Sequence, residues 1–375
     1  MTAVELDLLQ QIKIAARNYL PHIHELGSRR QLNNSLGQME LNMSKAYAFF
    51  DTYMDVLTQR HTPELGALLA GCDVLAWDAM RKEHPALEII EPPLVYCDRG
   101  FGASILREGV SLPNLIPNPL PLIQIPYSRL REKYNLTSIV HEAGHEVMMR
   151  LGLISSLPKA IQHALAKTSA ARNLRHLWAQ WMFELGPDFW TFCQTGLAQT
   201  AGIRDILSLP AGRVFHLSWT DPHPPPYLRV LISMEWCRQV WGRGDWDQWE
   251  EEWLALYPLK PRSNASHALL LRAKALLPLI SRVMFNTRFH VLNGRRIPDL
   301  FDLTALAPSE LERLAATSTR GSIHLKNLSP SMQLAVFRLI RDRGGVGEEK
   351  LDRIMSQWLI HLAQQRKNHS LESMK

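Results

Sequence analysis

The sequence predicts a predominantly helical α+β protein with one small sheet. Apolar residues recur at helical spacing over most of the 375 positions, whereas prolines and short apolar runs crowd into one stretch between Glu91 and Pro126. An apolar fraction of 46% against 21% charged residues allows a large buried core.

Residues 1–90 read as helical throughout. Val4, Leu8, Leu9 and Ile12 form one stripe, and Ala46, Phe49, Phe50 and Met54 another. The character then changes, and the runs 94–97, 103–112 and 122–126 read as strands. The last of these, Leu122-Ile123-Gln124-Ile125-Pro126, fits either a sheet edge that pairs with an extended substrate or a core strand ended by proline. Helix resumes from Tyr127 to Leu153 and is expected again over 160–184, 227–242, 246–257 and 266–285, with 202–226 rich in loop. The polar, proline-bearing segment 260–264 marks a boundary, beyond which helices are expected at 309–316, 331–343 and 348–365. The expected organisation is an N-terminal helical region (1–90), a central core (91–259) and a basic helical C-terminal region (260–375). Of the eleven tryptophans, nine lie between Trp178 and Trp253, which marks either a large buried centre or a substrate groove.

Several function classes are excluded or left open by composition. The most apolar stretch, 268–285, is interrupted by Arg272, Lys274 and Arg282, so no membrane span is expected. The N-terminus has no basic region followed by a continuous apolar run, and so no secretion signal is expected. Four scattered cysteines without a C-x-x-C pair point to a reducing, cytoplasmic setting. The Gly-rich pieces at 99–102 and 344–347 lack the Lys-Ser/Thr of a phosphate loop and read as turns. The net charge of +6 is uneven: residues 260–375 hold 19 Lys/Arg against 9 Asp/Glu, the rest 23 against 27. That basic region is either a solvated helical surface or a contact for a nucleic acid or protein partner.

The strongest chemical signal is His141-Glu142-Ala143-Gly144-His145. Two histidines four apart share one helix face, so both imidazoles can reach one ion. Glu142 then stands beside the ion, placed as a general base for a metal-activated water. Ile139, Val140, Ala143, Val147, Met148 and Leu151 make this helix apolar on most sides. Burying two imidazoles and a carboxylate without partners would cost several kcal/mol, and a metal ion satisfies them. Met148 and Leu151 stand where a metzincin would carry Gly and His, so that class is excluded.

Two further elements follow in order. Glu184 and Asp188 are spaced E-x-x-x-D, and His223-Pro224 with Arg229 forms H-P-x-x-x-x-R. The ordered trio resembles the minimal gluzincin core of the CAAX-prenyl-protease and HtpX group of metallopeptidases, over roughly residues 121–242. The resemblance implies a zincin-like catalytic core, with His141, His145 and Glu184 as Zn2+ ligands and Glu142 as general base. It implies Asp188 as the carboxylate that orients a ligand histidine, with His223 and Arg229 near the reaction. The implied activity is zinc-dependent hydrolysis of a peptide or protein substrate. Two departures accompany it: this chain has no spans, and Gly186-Pro187 falls inside E-x-x-x-D, where the helix is expected to end or bulge. The alternative is a zinc-containing regulatory or DNA-binding protein with a structural or vestigial metal site.

Overall fold

A computed structural model describes residues 2–88, 90–110, 118–259, 265–318 and 324–372. The chain opens with a helical hairpin, α1 (Thr2–Tyr19) and the long α2 (Leu26–His61), followed by α3 (Pro63–Met80) and the single turn α4 (Pro85–Glu88). Leu9, Ile12, Phe50 and Met54 of the expected stripes are exposed, while the side chains of Val4, Leu8, Ala46 and Phe49 lie outside the described residues. Helix α3 is the buried one of the set, with Leu69, Cys72, Leu75, Ala76 and Met80 sealed from solvent. The Arg60 guanidinium spans Asp73 on α3 with two 2.8 Å hydrogen bonds and also donates to the Val95 carbonyl, joining the end of α2, α3 and the sheet.

The sheet has three strands, β1 (Leu94–Asp98), β2 (Ser104–Leu106) and β3 (Leu122–Pro126), in the order β1-β3-β2. β3 pairs parallel to β1 and antiparallel to β2, with Ile123 opposite both Val95 and Ile105. The 122–126 segment is therefore the central strand, and the edge reading is corrected: both its hydrogen-bonding sides are taken, and the edges are β1, whose outer side meets Gln59 and Asp73, and β2. Of the expected 103–112 strand only 104–106 is extended, and 111–112 lies outside the described residues.

Two short 3₁₀ turns, Tyr127–Leu130 and Lys133–Asn135, lead from β3 into α5 (Thr137–Arg150), where a continuous helix was expected. α6 (Leu153–Ala166) and α7 (Arg172–Thr195) come next, and the expected helix over 160–184 is broken between them. The Thr168 hydroxyl donates to the Leu165 carbonyl at 2.7 Å and accepts from the Ala170 amide at 3.1 Å, so a side chain takes over backbone bonds that would continue the helix. α8 (Leu197–Leu207) extends helix into the segment expected as loop, and α9 (Ala211–Val214) adds a turn. α10 (Pro226–Trp241) and α11 (Asp245–Leu256) match expectation. The expected helix over 266–285 is two, α12 (Ala265–Lys274) and α13 (Leu277–Asn286), because Pro278 starts a new first turn rather than continuing the old one. The chain ends with α14 (Pro308–Ser318), α15 (Pro330–Asp342) and α16 (Glu348–Glu372). The expected boundary segment 260–264 lies outside the described residues.

One continuous set of buried apolar side chains runs from Leu69 to Leu362 and draws on all three expected regions. α16 lies along α3, with Gly71 closing on the backbone of Leu359. Trp178, Trp181, Trp190, Trp236 and Trp253 are fully buried, which settles most of the tryptophan concentration as core. No helix among the described residues is long and apolar enough to cross a membrane, and all four cysteines are free and buried.

Candidate metal centre

Helices α5 and α7 cross at Gly144 and Pro187. A Cβ on Gly144 would stand 3.1 Å from Pro187 Cα and 3.3 Å from its carbonyl oxygen, so glycine is what lets the backbones approach. The expectation that the helix ends or bulges at Gly186-Pro187 is corrected: α7 continues through Pro187 to Thr195. Pro187 removes one backbone donor, but its ring and backbone fill the crossing where α5 has no side chain. This close crossing sets Glu184 and Asp188, one turn apart on α7, against His141 and His145, one turn apart on α5.

His141 Nε2 lies 3.2 Å from His145 Nε2 and 3.4 Å from Glu184 Oε2, and His145 Nε2 lies 3.7 Å from Glu184 Oε1. Among the described residues, these three form the one group of His, Cys, Asp and Glu donors that could hold a metal ion. Asp188 is fully buried behind them, with Oδ1 at 2.8 Å from His141 Nδ1, leaving His141 Nε2 turned to the cluster. Arg229 clasps Asp188 with both ends of its guanidinium, Nε to Oδ2 at 2.5 Å and Nη2 to Oδ1 at 2.9 Å, and reaches 3.6 Å from Glu184 Oε2. His223 stands 3.4 Å from Glu184 Oε2 through Nε2, while its Nδ1 meets Asp221 Oδ1 at 2.6 Å. The structure thus gathers all seven residues singled out in the sequence: His141, Glu142, His145, Glu184, Asp188, His223 and Arg229 all line one cleft of about 660 Å³.

The electrostatics divide the cluster cleanly. Burial alone would lower His141, but the Asp188 and Glu184 carboxylates override it and push the imidazole up to about 10. Burial, with His141 beside it, pulls His145 down to about 3. Glu184 is held down at about 2 by His141 and Arg229 in spite of its burial, and Asp188 lies well below the usual carboxylate range for the same reason. Burial pushes the Glu142 carboxyl up to about 7, partly offset by His141. The last shift gives Glu142 the proton affinity that a general base working at neutral pH requires.

Two residues of the site escaped the sequence reading. Asp221 orients His223, and the only trace of it is its place at the head of the D-P-H-P run. Gln199 on α8 donates to Asp188 Oδ1 at 3.1 Å, completing the shell around that carboxylate. Nothing in the pattern of α8 points to it, because the contact exists only once α8 folds against α7. Comparison with protein-family models, curated proteins and solved structures returned no match.

Proposed function

We propose that the chain is a zinc-dependent metallopeptidase. The observation that carries the reading is the convergence of two imidazole nitrogens and one carboxylate: His141 Nε2 and His145 Nε2 lie 3.2 Å apart, the first 3.4 Å from Glu184 Oε2 and the second 3.7 Å from Glu184 Oε1. Ligand atoms 2.0–2.1 Å from a tetrahedral zinc stand about 3.3 Å apart, and the separations between donors in this cluster are of that order, which supports the reading. A His2Glu set with one side open to a cleft is the donor set of a catalytic rather than a structural zinc.

When bound, zinc supplies Lewis acidity that polarises a scissile carbonyl and makes water a nucleophile at neutral pH. Glu142 takes the proton of the attacking water and delivers it to the departing amine. Asp188 fixes the tautomer and direction of the His141 ring, and Arg229 holds Asp188 ionised and in place. His223, aimed by Asp221 through Nδ1 and more than half exposed at the cleft rim, turns Nε2 toward Glu184 and stands beside the space a substrate would occupy. The bidentate clasp of Arg229 on Asp188 supports bracing as its role, in preference to direct contact with substrate.

The deciding measurement is zinc per chain after dialysis, in the wild type and in Glu184→Ala, together with cleavage of a mixed peptide library. One zinc in the wild type, a strong reduction in Glu184→Ala and zinc-dependent cleavage are expected. A wild type that takes up no zinc even after reconstitution removes the reading.

A further inference from the structure

The cleft that holds the donor cluster contains a second buried arginine, and its situation differs from that of Arg229. Arg129, in the 3₁₀ turn after β3, is 6% exposed and lines the cleft. Among the described residues its one carboxylate contact is to Glu132 Oε2 at 3.4 Å, at the outer limit of a hydrogen bond, and its buried Nε meets no partner there. Glu132 is itself nearly half exposed and shares the same oxygen with Asn135 at 3.3 Å. Carboxylates press Arg229 upward in proton affinity, whereas burial presses Arg129 downward with little to offset it. A guanidinium taken out of water and left with unfilled donors is costly unless an anion completes it.

The position of Arg129 says which part of a bound peptide it faces. β2 is an edge strand of the sheet and lines the cleft through Ser104 and Ile105, while at its far end the Leu106 carbonyl accepts from Asn118 at 3.1 Å. Its register puts Ser104 opposite Gln124 and Leu106 opposite Leu122, so Arg129, a few residues beyond the end of β3, lies off the N-terminal end of β2. Arg107 lies at the other end. A peptide that adds antiparallel to β2 runs from the Arg107 end toward Arg129, with its C-terminal side at Arg129. The first turn of α5, through Thr137 and Ser138, lines the same cleft, and a helix N-terminus favours negative charge.

We propose that Arg129 forms a carboxylate-binding subsite for the C-terminal side of the substrate, so that the peptides preferred in this cleft carry a negative charge there. The proposal rests on the peptidase reading for the identity of the ligand as a peptide. The charge can come from a free α-carboxylate or from an Asp or Glu side chain, and both present the same two oxygens to the guanidinium fork.

The test is a calorimetric titration of the zinc-loaded Glu142→Gln protein with three peptides. These are acetyl-Ala-Ala-Leu-Ala with a free carboxylate, the same peptide amidated, and the amidated peptide with Glu in place of the last Ala. At least one of the two charged peptides should bind about tenfold more tightly than the neutral amide, and which one does so names the source of the charge. Adding Arg129→Gln should erase that preference while leaving the neutral amide unchanged, and Arg129→Lys should keep part of it. Glu132→Gln separates this role from a purely structural ion pair. It should preserve or strengthen the preference, whereas a bracing role for Arg129 predicts that it copies Arg129→Gln. Equal binding of all three peptides, no binding of any, or a preference that survives Arg129→Gln overturns the subsite. Hydrolysis is read separately in the wild type. Cleavage without charge preference sinks the subsite alone, and charge-selective binding through Arg129 without cleavage sinks the peptidase reading alone.

Discussion

The Asp188 and Glu184 carboxylates hold His141 toward its protonated form in spite of its burial, whereas burial holds His145 toward the neutral form and His141 and Arg229 hold Glu184 toward the ionised form that a metal ligand needs. Metal uptake at neutral pH should therefore expel one proton, from His141. Apparent zinc affinity should rise about tenfold per pH unit between about 6.5 and 9, measurable by competition with a chromophoric chelator. A pH-independent affinity would show that His141 is neutral before the metal arrives. The same raised value stabilises the metal-free fold. That contribution is complete below the unfolded value of about 6.5 and fades as pH climbs through about 10. Glu142→Gln should keep its zinc and lose about 10²–10⁴ in turnover, and full activity in that variant would remove the general-base role. Asp188→Asn should weaken zinc binding about 10–100-fold, since its carboxylate alone meets His141 Nδ1. At this scale the i, i+4 histidines were legible because their geometry is local to one helix. Asp221, Gln199 and Arg129 were not, because their meaning depends on which helix or turn packs beside them.

Among the elements, the α5–α7 crossing decides whether the donors meet. Gly144→Ala should cost about 1–2 kcal/mol in urea unfolding, as a 3.1 Å approach to Pro187 Cα outweighs the gain of about 1 kcal/mol in helix propensity. Gly71→Ala should cost more, above about 3 kcal/mol, since its Cβ would overlap the Leu359 backbone, which has no side-chain freedom with which to yield. Equal losses at the two sites would show that backbone shift, and not local overlap, sets the cost. Most helices could be read from apolar spacing, and the strands from their proline-bounded runs. The break after Ala166 could not, because nothing in the apolar pattern announces that the Thr168 hydroxyl takes up backbone bonds there. The strand order escaped for a related reason: two apolar strands look alike until their pairing is known, and β3 is flanked by both others.

For the molecule as a whole, the class was legible but the sharing of one core was not. Composition placed a boundary near residue 260, yet Leu334, Phe337, Leu359 and Leu362 belong to the same buried set as Leu69 and Leu75. Polar ties cross it as well. Lys133 meets Asp352 at 2.6 Å, Asp78 receives the Ser331 hydroxyl at 2.7 Å, and Arg338 reaches Asn135 at 2.6 Å, just ahead of the donor helix. Several basic residues of the C-terminal region are engaged in ion pairs, among them Arg338 with Asp205 and Arg343 with Glu312. A chain ending at Gly347 should accordingly lose both its cooperative unfolding transition and its zinc. A truncated form that binds zinc normally would show that α16 is dispensable to the centre.

The pairing of α3 with α16 has a consequence for how the protein is made. α3 (Pro63–Met80) is synthesised well before α16 (Glu348–Glu372), so the face of α3 that α16 covers stays uncovered until that later helix emerges. The turn leading into the donor helix waits likewise for Arg338 and Asp352. The packing that supports the turn ahead of the donor cluster is then complete only after α16 has emerged.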